Sequence, residues 1–187
     1  MLRDYKYHIF ALVGESGSGK TTLQYSMRHM LTIPTGLTTR AKREDDIDGQ
    51  YIYSDYDMLI ELLKKDKLCL VNGVYSNVYA YFKDEFNKGH SIVVVDVVGI
   101  RRLQEYFGFE NVTAIYVESP ISIRKARASS RSSNNPSDRE WSDKRKFNNA
   151  YHLCDYKITN DCDIKYSINE LKSVVREVLL SKYKKQE

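Results

Sequence analysis

Short apolar runs alternate with amphipathic stretches along most of this chain. Ile9–Val13 is an unbroken apolar run of strand length, and Ser91–Asp96 is a β-branched run that closes on a carboxylate. Continuous runs of this kind fit parallel strands buried on both faces. Thr113–Val117 and Tyr156–Thr159 predict two further short strands. Helical spacing of apolar residues fills the intervals. It predicts helices from Thr21 to about Leu31, from Gly99 to Phe107, from Pro120 to about Ala128 or Ser130, and from about Glu140 to Leu153. A last helix runs from about Ser167 to Tyr183, with Ile168, Leu171, Val174, Val175, Val178 and Leu179 as its apolar stripe. The tail beyond it is expected to fray.

Residues 33–80 break the alternation. Pro34 and Gly36 end the first helix, and a polar, non-periodic loop follows as far as the Asp48-Gly49 turn. The pattern then predicts a short strand, Tyr51–Tyr53, and a helix from Asp57 to Lys65 with Met58, Leu59, Leu62 and Leu63 to one side. A strand at Leu68–Val71 closes on Asn72-Gly73. The stretch after it leads into a helix from about Asn77 to Asn87, ended by Lys88-Gly89. Strands alternating with helices around one interruption predict an α/β fold, a parallel sheet flanked by helices and carrying an inserted subdomain.

Composition narrows the class. The 187 residues suit one domain with a full core, and 42% hydrophobic against 29% charged residues is a soluble, globular balance. A formal charge of +4 is too mild to imply nucleic acid and fits small anionic substrates equally well. Cys69, Cys154 and Cys162 are odd in number and form no C-x-x-C pair, which reads as reduced thiols in the cytoplasm. Arg3 and Lys6 precede an apolar run too short for a signal peptide, and no stretch approaches the roughly 20 apolar residues of a membrane span. The expectation is a cytoplasmic monomer or homodimer with no nucleic-acid or membrane partner.

Between the first strand and the first helix lies Gly14-Glu-Ser-Gly-Ser-Gly-Lys-Thr21, which meets G-x-x-x-x-G-K-[ST] at every fixed position. Strand, glycine-rich loop and helix is the order a phosphate-binding loop requires. The loop lets backbone N–H groups converge on an anion, and the helix N-terminus adds its own unpaired N–H groups and dipole. Gly14, Glu15, Ser16, Gly17, Ser18 and Gly19 with Lys20, Thr21 and Thr22 are therefore the expected nucleotide-binding stretch. Lys20 would reach the β- and γ-phosphates and the Thr21 hydroxyl would ligate Mg²⁺. A turn that merely joined a strand to a helix would not need Lys and Thr at these two places.

Three other places concentrate chemistry. Thr38, Thr39, Arg40 and Arg43 put hydroxyls and two guanidiniums within six residues, and Arg grips phosphate bidentately. The acidic residues that follow, Glu44, Asp45, Asp46 and Asp48, are placed to hold those arginines. Asp96 stands at the carboxyl end of its strand, where open α/β sheets bind ligands. Its readings are a helix cap or a contact to Mg²⁺ or substrate. Residues 129–138 are a low-complexity stretch bracketed by Arg127 and Arg131 before it and by Arg139 and Arg145 after it. A solvated basic face is the plain reading of these arginines. A mobile lid is the functional one, because phosphoryl transfer uses positive charge that arrives on closure.

The order of these motifs resembles the guanylate kinase family of nucleoside monophosphate (NMP) kinases, over nearly the whole chain. The 14–23 stretch is similar to its phosphate loop. Thr38-Thr39-Arg40-x-x-Arg43 with Asp48-Gly49-x-Tyr51 is similar to its acceptor-phosphate loop, and Val93-Val-Val-Asp96-x-x-Gly99 to its aspartate-bearing strand. The resemblance implies a P-loop NTPase core at 1–32 and 89–187, an NMP-binding subdomain at 33–88 and a lid at 128–145. It implies transfer of the γ-phosphoryl of MgATP to a nucleoside monophosphate, GMP or dGMP first. Lys20, Arg40 and the lid arginines Arg127, Arg131 and Arg145 would carry catalysis. Thr39, Arg40, Arg43, Tyr51, Tyr75 and Asp96 would bind the acceptor, Asn160 would lie near the adenine, and Thr21 and Asp96 would serve the metal.

The chain departs from that family where the acceptor's base is read. Leu37 stands where the family has the serine before its Thr-Thr-Arg, Gly36 replaces the serine that contacts guanine, and Leu68–Asn72 contains no carboxylate to read the guanine edge. Another phosphorylated acceptor, such as a sugar phosphate of the ribose bisphosphate kind, is one alternative. A non-catalytic module of the same fold is another, although such modules tend to lose the ATP loop that this chain keeps.

Overall fold

The structure, a computed structural model, describes residues 6–44, 46–74, 76–129 and 150–184. Two four-stranded sheets organise it. The first holds β1 (Ile9–Val13), β6 (Ser91–Val94), β7 (Val112–Glu118) and β8 (Tyr156–Thr159) in the order β6-β1-β7-β8. All three of its pairings are parallel. The second holds β2 (Gly36–Thr38), β3 (Tyr51–Tyr53), β4 (Leu68–Val74) and β5 (Asn77–Phe82) in the order β3-β2-β5-β4. Five α-helices accompany them among the described residues: α1 (Lys20–Ser26), α2 (Tyr56–Lys64), α3 (Val97–Phe107), α4 (Ile121–Ser129) and α5 (Ile164–Tyr183).

β1 is the axis of the parallel sheet and is fully buried. Successive strand residues face opposite ways. Phe10 and Leu12 pack with Leu23 and Met27 near α1 and with Leu171, Val175 and Val178 of α5. Ile9 and Ala11 meet Leu103 and Phe107 of α3 on the other face, and Val13 joins Ile100. The chain leaves β1, pairs β6 on one side of it and then β7 on the other. This crossover is a topological switch point, and the crevice beyond the carboxyl ends of β1 and β7 is where such sheets bind ligands.

The second sheet has a small core of its own, Leu37, Leu59, Leu68 and Ala80. It also touches the first at defined points. Cys69 packs in the cluster that holds Phe86 and Phe107, and the Tyr81 hydroxyl donates to the Val94 carbonyl at 3.3 Å.

Five expectations are corrected. α1 ends at Ser26 rather than near Leu31, because the chain tightens into turns and Thr32 is drawn to the sheet edge, where its N–H donates to His90 O at 2.8 Å. β2 lies inside the expected loop, held between β3 and β5. β4 runs through Asn72-Gly73 instead of turning there, with a register shift between Cys69 and Asn72 and Leu70 at φ 54°. Residues 77–82 form β5 rather than a helix. Its alternating Val78, Ala80 and Phe82 fit a pleated surface between two strands, and only 83–88 coil, as a 3₁₀ segment. α5 also starts three residues early, at Ile164, with the Asp163 carboxylate capping Lys165 N at 3.0 Å. Residues 130–149, which include most of the expected lid and of the 140–153 helix, lie outside the described residues. No helix among the described residues is long and apolar enough to cross a membrane.

His8, just before β1, gives the fold a pH dependence. It is 2% exposed, and its Nε2 shares a 2.8 Å hydrogen bond with Thr113 Oγ1. Burial, and then the charges of Lys182 and His90, push its pKa down to about 3. A histidine depressed in the fold contributes stability that is complete above its unfolded value of about 6.5 and lost as pH falls below that. Urea titrations at about pH 7.5 and about pH 5 should show a loss of up to about 2 kcal/mol from this group. His8→Gln should show a smaller loss between the same two conditions.

Candidate active site

The loop from Gly14 to Gly19 leaves β1 and opens directly into α1 at Lys20. Gly19 is the N-cap at φ 93°, a left-handed conformation that favours glycine. A Cβ there would also lie 2.3 Å from Asn160 Nδ2, so close approach demands the same residue. The Lys20 ammonium folds over the loop, donating to Gly14 O at 2.7 Å and Glu15 O at 2.8 Å, with Ser18 Oγ at 3.4 Å. Asn160, fully buried just past β8, donates to Ser18 O at 2.8 Å, and Arg127 of α4 donates to Gly17 O at 3.2 Å. Glu15 is held from below by Arg124 at 3.0 Å.

These residues line a cavity of about 400 Å³ with Ser16, Gly17, Gly19, Lys20, Thr21, Thr22, Arg127, Asn160 and Ile164 on its walls. Seven of these nine were expected from the loop motif or the resemblance as nucleotide contacts, and Arg127 as a lid arginine; Ile164 was not. Helix N-terminus, lysine and arginine together make an anion site. The donor set also fits magnesium. Among the described residues no cluster of His, Cys, Asp and Glu could hold a metal alone. A hydroxyl at Thr21 suits an ion that arrives on nucleotide phosphates and keeps part of its water shell.

The second group of residues lies on the second sheet. The Arg40 guanidinium meets Asp46 bidentately, Nη1 to Oδ2 and Nη2 to Oδ1, both at 2.9 Å, with each side chain 9% exposed. Asp46 Oδ2 also accepts from Arg43 N and from the Tyr53 hydroxyl, each at 2.7 Å. Burial would raise the Asp46 pKa, but these donors outweigh it and hold the carboxyl at about 2. Burial likewise opposes the charge on Arg40, and Asp46, with Tyr79 nearby, reverses the effect and keeps the guanidinium protonated. The Arg40 guanidinium carbon lies 5.7 Å from the Tyr51 ring centre and 5.9 Å from that of Tyr53. Burial, then Tyr79, pushes the Tyr51 hydroxyl up to about 12, so it stays protonated. Thr39 serves the sheet: its Oγ1 accepts from Val78 N at 2.9 Å.

Asp96 joins the two sheets. Its Oδ1 caps α3 by accepting from Gly99 N at 2.8 Å, and its Oδ2 accepts from Asn72 Nδ2 at 2.8 Å. The cap reading and a place beside the second sheet therefore both hold for this residue. Tyr75, Arg131, Arg139, Arg145 and Asp45 lie outside the described residues.

The sequence points to an acidic partner near the arginines without singling out Asp46, and it does not mark Tyr53 or Arg124 as working parts. For Tyr53 a signal was present, since it shares a strand face with Tyr51 at i, i+2. The bond between Asn72 and Asp96 spans 24 positions and needs the fold. Gly36 also finds its reason here. It pairs with Tyr51 across β2 and β3, and a Cβ on it would lie 2.8 Å from the Tyr51 ring. A serine at this position would push the ring aside, so Gly36→Ser should cost about 1–3 kcal/mol of stability, read as a lowered urea midpoint.

No family model matches the chain. A curated protein named guanylate kinase, from Mycoplasmopsis pulmonis (strain UAB CTIP), is 29% identical over 133 residues, covering 64% of this chain and 68% of that protein. A crystal structure of guanylate kinase from Anaplasma phagocytophilum matches the fold with a TM-score of 0.72 at 19% identity, over 93% of this chain and 87% of that one.

Proposed function

We propose that this chain, whose sequence and fold both support the guanylate kinase family, is an ATP-dependent kinase that phosphorylates GMP or dGMP. The observation that carries the reading is the pairing of two anion-binding sites. One is the loop cavity with Lys20, Arg127 and Asn160, and the other is the buried Arg40 fork on the second sheet. The donor's triphosphate lies in the first, and the acceptor's phosphate is taken by Arg40, Arg43 and Tyr51 at the second. An oxygen of the acceptor phosphate bonds to the γ-phosphorus as the bond to the β-phosphate oxygen breaks, giving ADP and the nucleoside diphosphate.

Catalysis in such a transfer is alignment and electrostatics. Lys20 and Arg127 neutralise charge on the transferred group, while the loop N–H groups fix the donor. Thr21, with the nucleotide, would hold magnesium, which would supply further charge neutralisation at the β- and γ-phosphates. Asp96 serves the acceptor side, where Asn72 holds it. The 33–88 segment acts as the NMP-binding subdomain, and the 128–145 segment, with Arg131 and Arg145, as the lid. The protein works in the cytoplasm as a monomer or homodimer.

A coupled assay of ADP formation across GMP, dGMP, AMP, UMP, CMP and dTMP tests the reading. Turnover with GMP or dGMP above the others is expected, and no turnover with any acceptor would sink it. The absence of a carboxylate in Leu68–Asn72 favours one second reading, a sugar phosphate as acceptor. Thermal stabilisation by ribose bisphosphate and not by guanine nucleotides would select it.

A further inference from the structure

We propose that Asp46, tied to Tyr53, is a positioning residue that sets which edge of Arg40 is offered to the acceptor's phosphate. The inference rests on the acceptor role given to Arg40 above. A guanidinium has five N–H donors on two forked edges. Asp46 takes the end-on fork, Nη1 and Nη2, and the second Nη1 proton goes to Ala41 O at 2.7 Å. What Asp46 and Ala41 leave is the side-on edge, Nε–H and the outer Nη2–H, which point the same way and match two oxygens of a phosphate; the Tyr79 hydroxyl stands by the guanidinium as a further partner. Arg40 is 8% exposed, and its Nε is enclosed without a hydrogen-bond partner. Buried donors are ordinarily paired, so an exception on a charged group points to a ligand.

Asp46 is itself unable to swing. Its Oδ2 accepts three donors, from Arg40, Arg43 N and Tyr53, so one carboxylate ties the guanidinium of one arginine to the backbone of the other. Arg40 N is further anchored to Thr38 Oγ1 at 3.2 Å, which donates in turn to Val78 O at 3.0 Å. The rings of Tyr51 and Tyr53 flank the guanidinium. A phosphate reaches the enclosed edge when a ring moves aside, and the Asp46 fork keeps the orientation through that step. An autoinhibitory role for Asp46 would require it to hold the edge the phosphate needs. It holds the other one.

The test uses the full chain with Asp46→Asn, Asp46→Glu and Tyr53→Phe. KM is measured for GMP and for ATP, and calorimetry gives the Kd of GMP against that of guanosine. Asp46→Asn should raise the GMP KM by about tenfold or more, leave the ATP KM within about twofold, and shrink the GMP-over-guanosine preference by a similar factor. Asp46→Glu should recover part of that loss, and Tyr53→Phe should show a smaller shift in the same direction. An unchanged GMP KM with only a lower melting temperature would make Asp46 merely structural. A lowered GMP KM would make it inhibitory, and equal rises for both substrates would mean general disruption; each overturns the proposal. If Asp46→Asn does not fold, an unmoved Tyr53→Phe overturns it. Absence of turnover in the wild type counts against the kinase reading, whereas an active wild type with an unmoved variant counts against Asp46 alone.

Discussion

Lys20→Ala should lower kcat for phosphoryl transfer by about 10²–10³-fold while the protein remains folded. The size follows from what the ammonium does. It is the one side-chain cation that the loop motif itself supplies, and it is poised over the loop by Gly14 O, Glu15 O and Ser18 Oγ. Charge that develops on the transferred group is stabilised there by a donor already in place. The core does not depend on it, because α1 packs through Leu23 with Met27 just beyond it. Circular dichroism and a urea midpoint close to the wild type, alongside the loss in kcat, are the expected pair of results. Activity that survives the substitution would remove the loop from the chemistry.

Arg40→Lys should cost about 10²-fold in kcat/KM for the acceptor, with little change for ATP. Lysine keeps the charge and loses the fork, so neither Asp46 nor a phosphate is met bidentately. Two charge-assisted hydrogen bonds at about 1.5–3 kcal/mol each set the scale. Arg40→Ala should do more than that, because it strands Asp46, whose side chain is 9% exposed. Breaking one side of a buried pair costs about 3–5 kcal/mol. The sign with pH is fixed by the depressed Asp46 carboxyl. Its stabilising contribution is complete above its ordinary value of 3.8 and is lost as pH falls through about 2. Chemical denaturation of Arg40→Ala at neutral pH should therefore show the full destabilisation. Equal kcat/KM for Arg40→Lys and the wild type would move the acceptor's phosphate elsewhere.

The loop half of the candidate site was legible from sequence for a physical reason. A phosphate loop needs its residue types at fixed spacing, and those constraints are local, so Gly14 to Thr21 can be read without the fold. The parallel strands were legible too, since residues 91–94 and 112–117 are largely buried on both faces and read as mostly apolar runs. The second sheet was harder. β2 has three residues, and β5 mixes aromatic and small side chains on a half-buried surface, which mimics the start of a helix. The proposed acceptor site depends on that sheet. Arg40 and Arg43 could be named from residue type, but the Asp46 fork, the Tyr53 hydroxyl and the Asn72 bond to Asp96 are tertiary. Gly36 is the sharpest example: a departure at the level of sequence becomes the consequence of a ring packed against it.

The base-reading region carries the remaining specificity. β4 brings no carboxylate between Leu68 and Asn72, while Asn72 reaches Asp96 at the edge of the parallel sheet. Asn72 and Asp96 are therefore the polar pair proposed to meet the acceptor's base in this region. Such pairs discriminate strongly when a wrong base leaves them unmatched.

Phosphorus NMR of the wild-type protein with MgATP and GMP follows the transfer itself, from a triphosphate donor to a monophosphate acceptor on one chain. The γ-phosphate signal of ATP should give way to the β-phosphate signals of ADP and GDP in equal amounts, with no accumulation of inorganic phosphate; one chain then joins donor and acceptor. Release of inorganic phosphate without GDP, or an ATP spectrum that does not change, would contradict it.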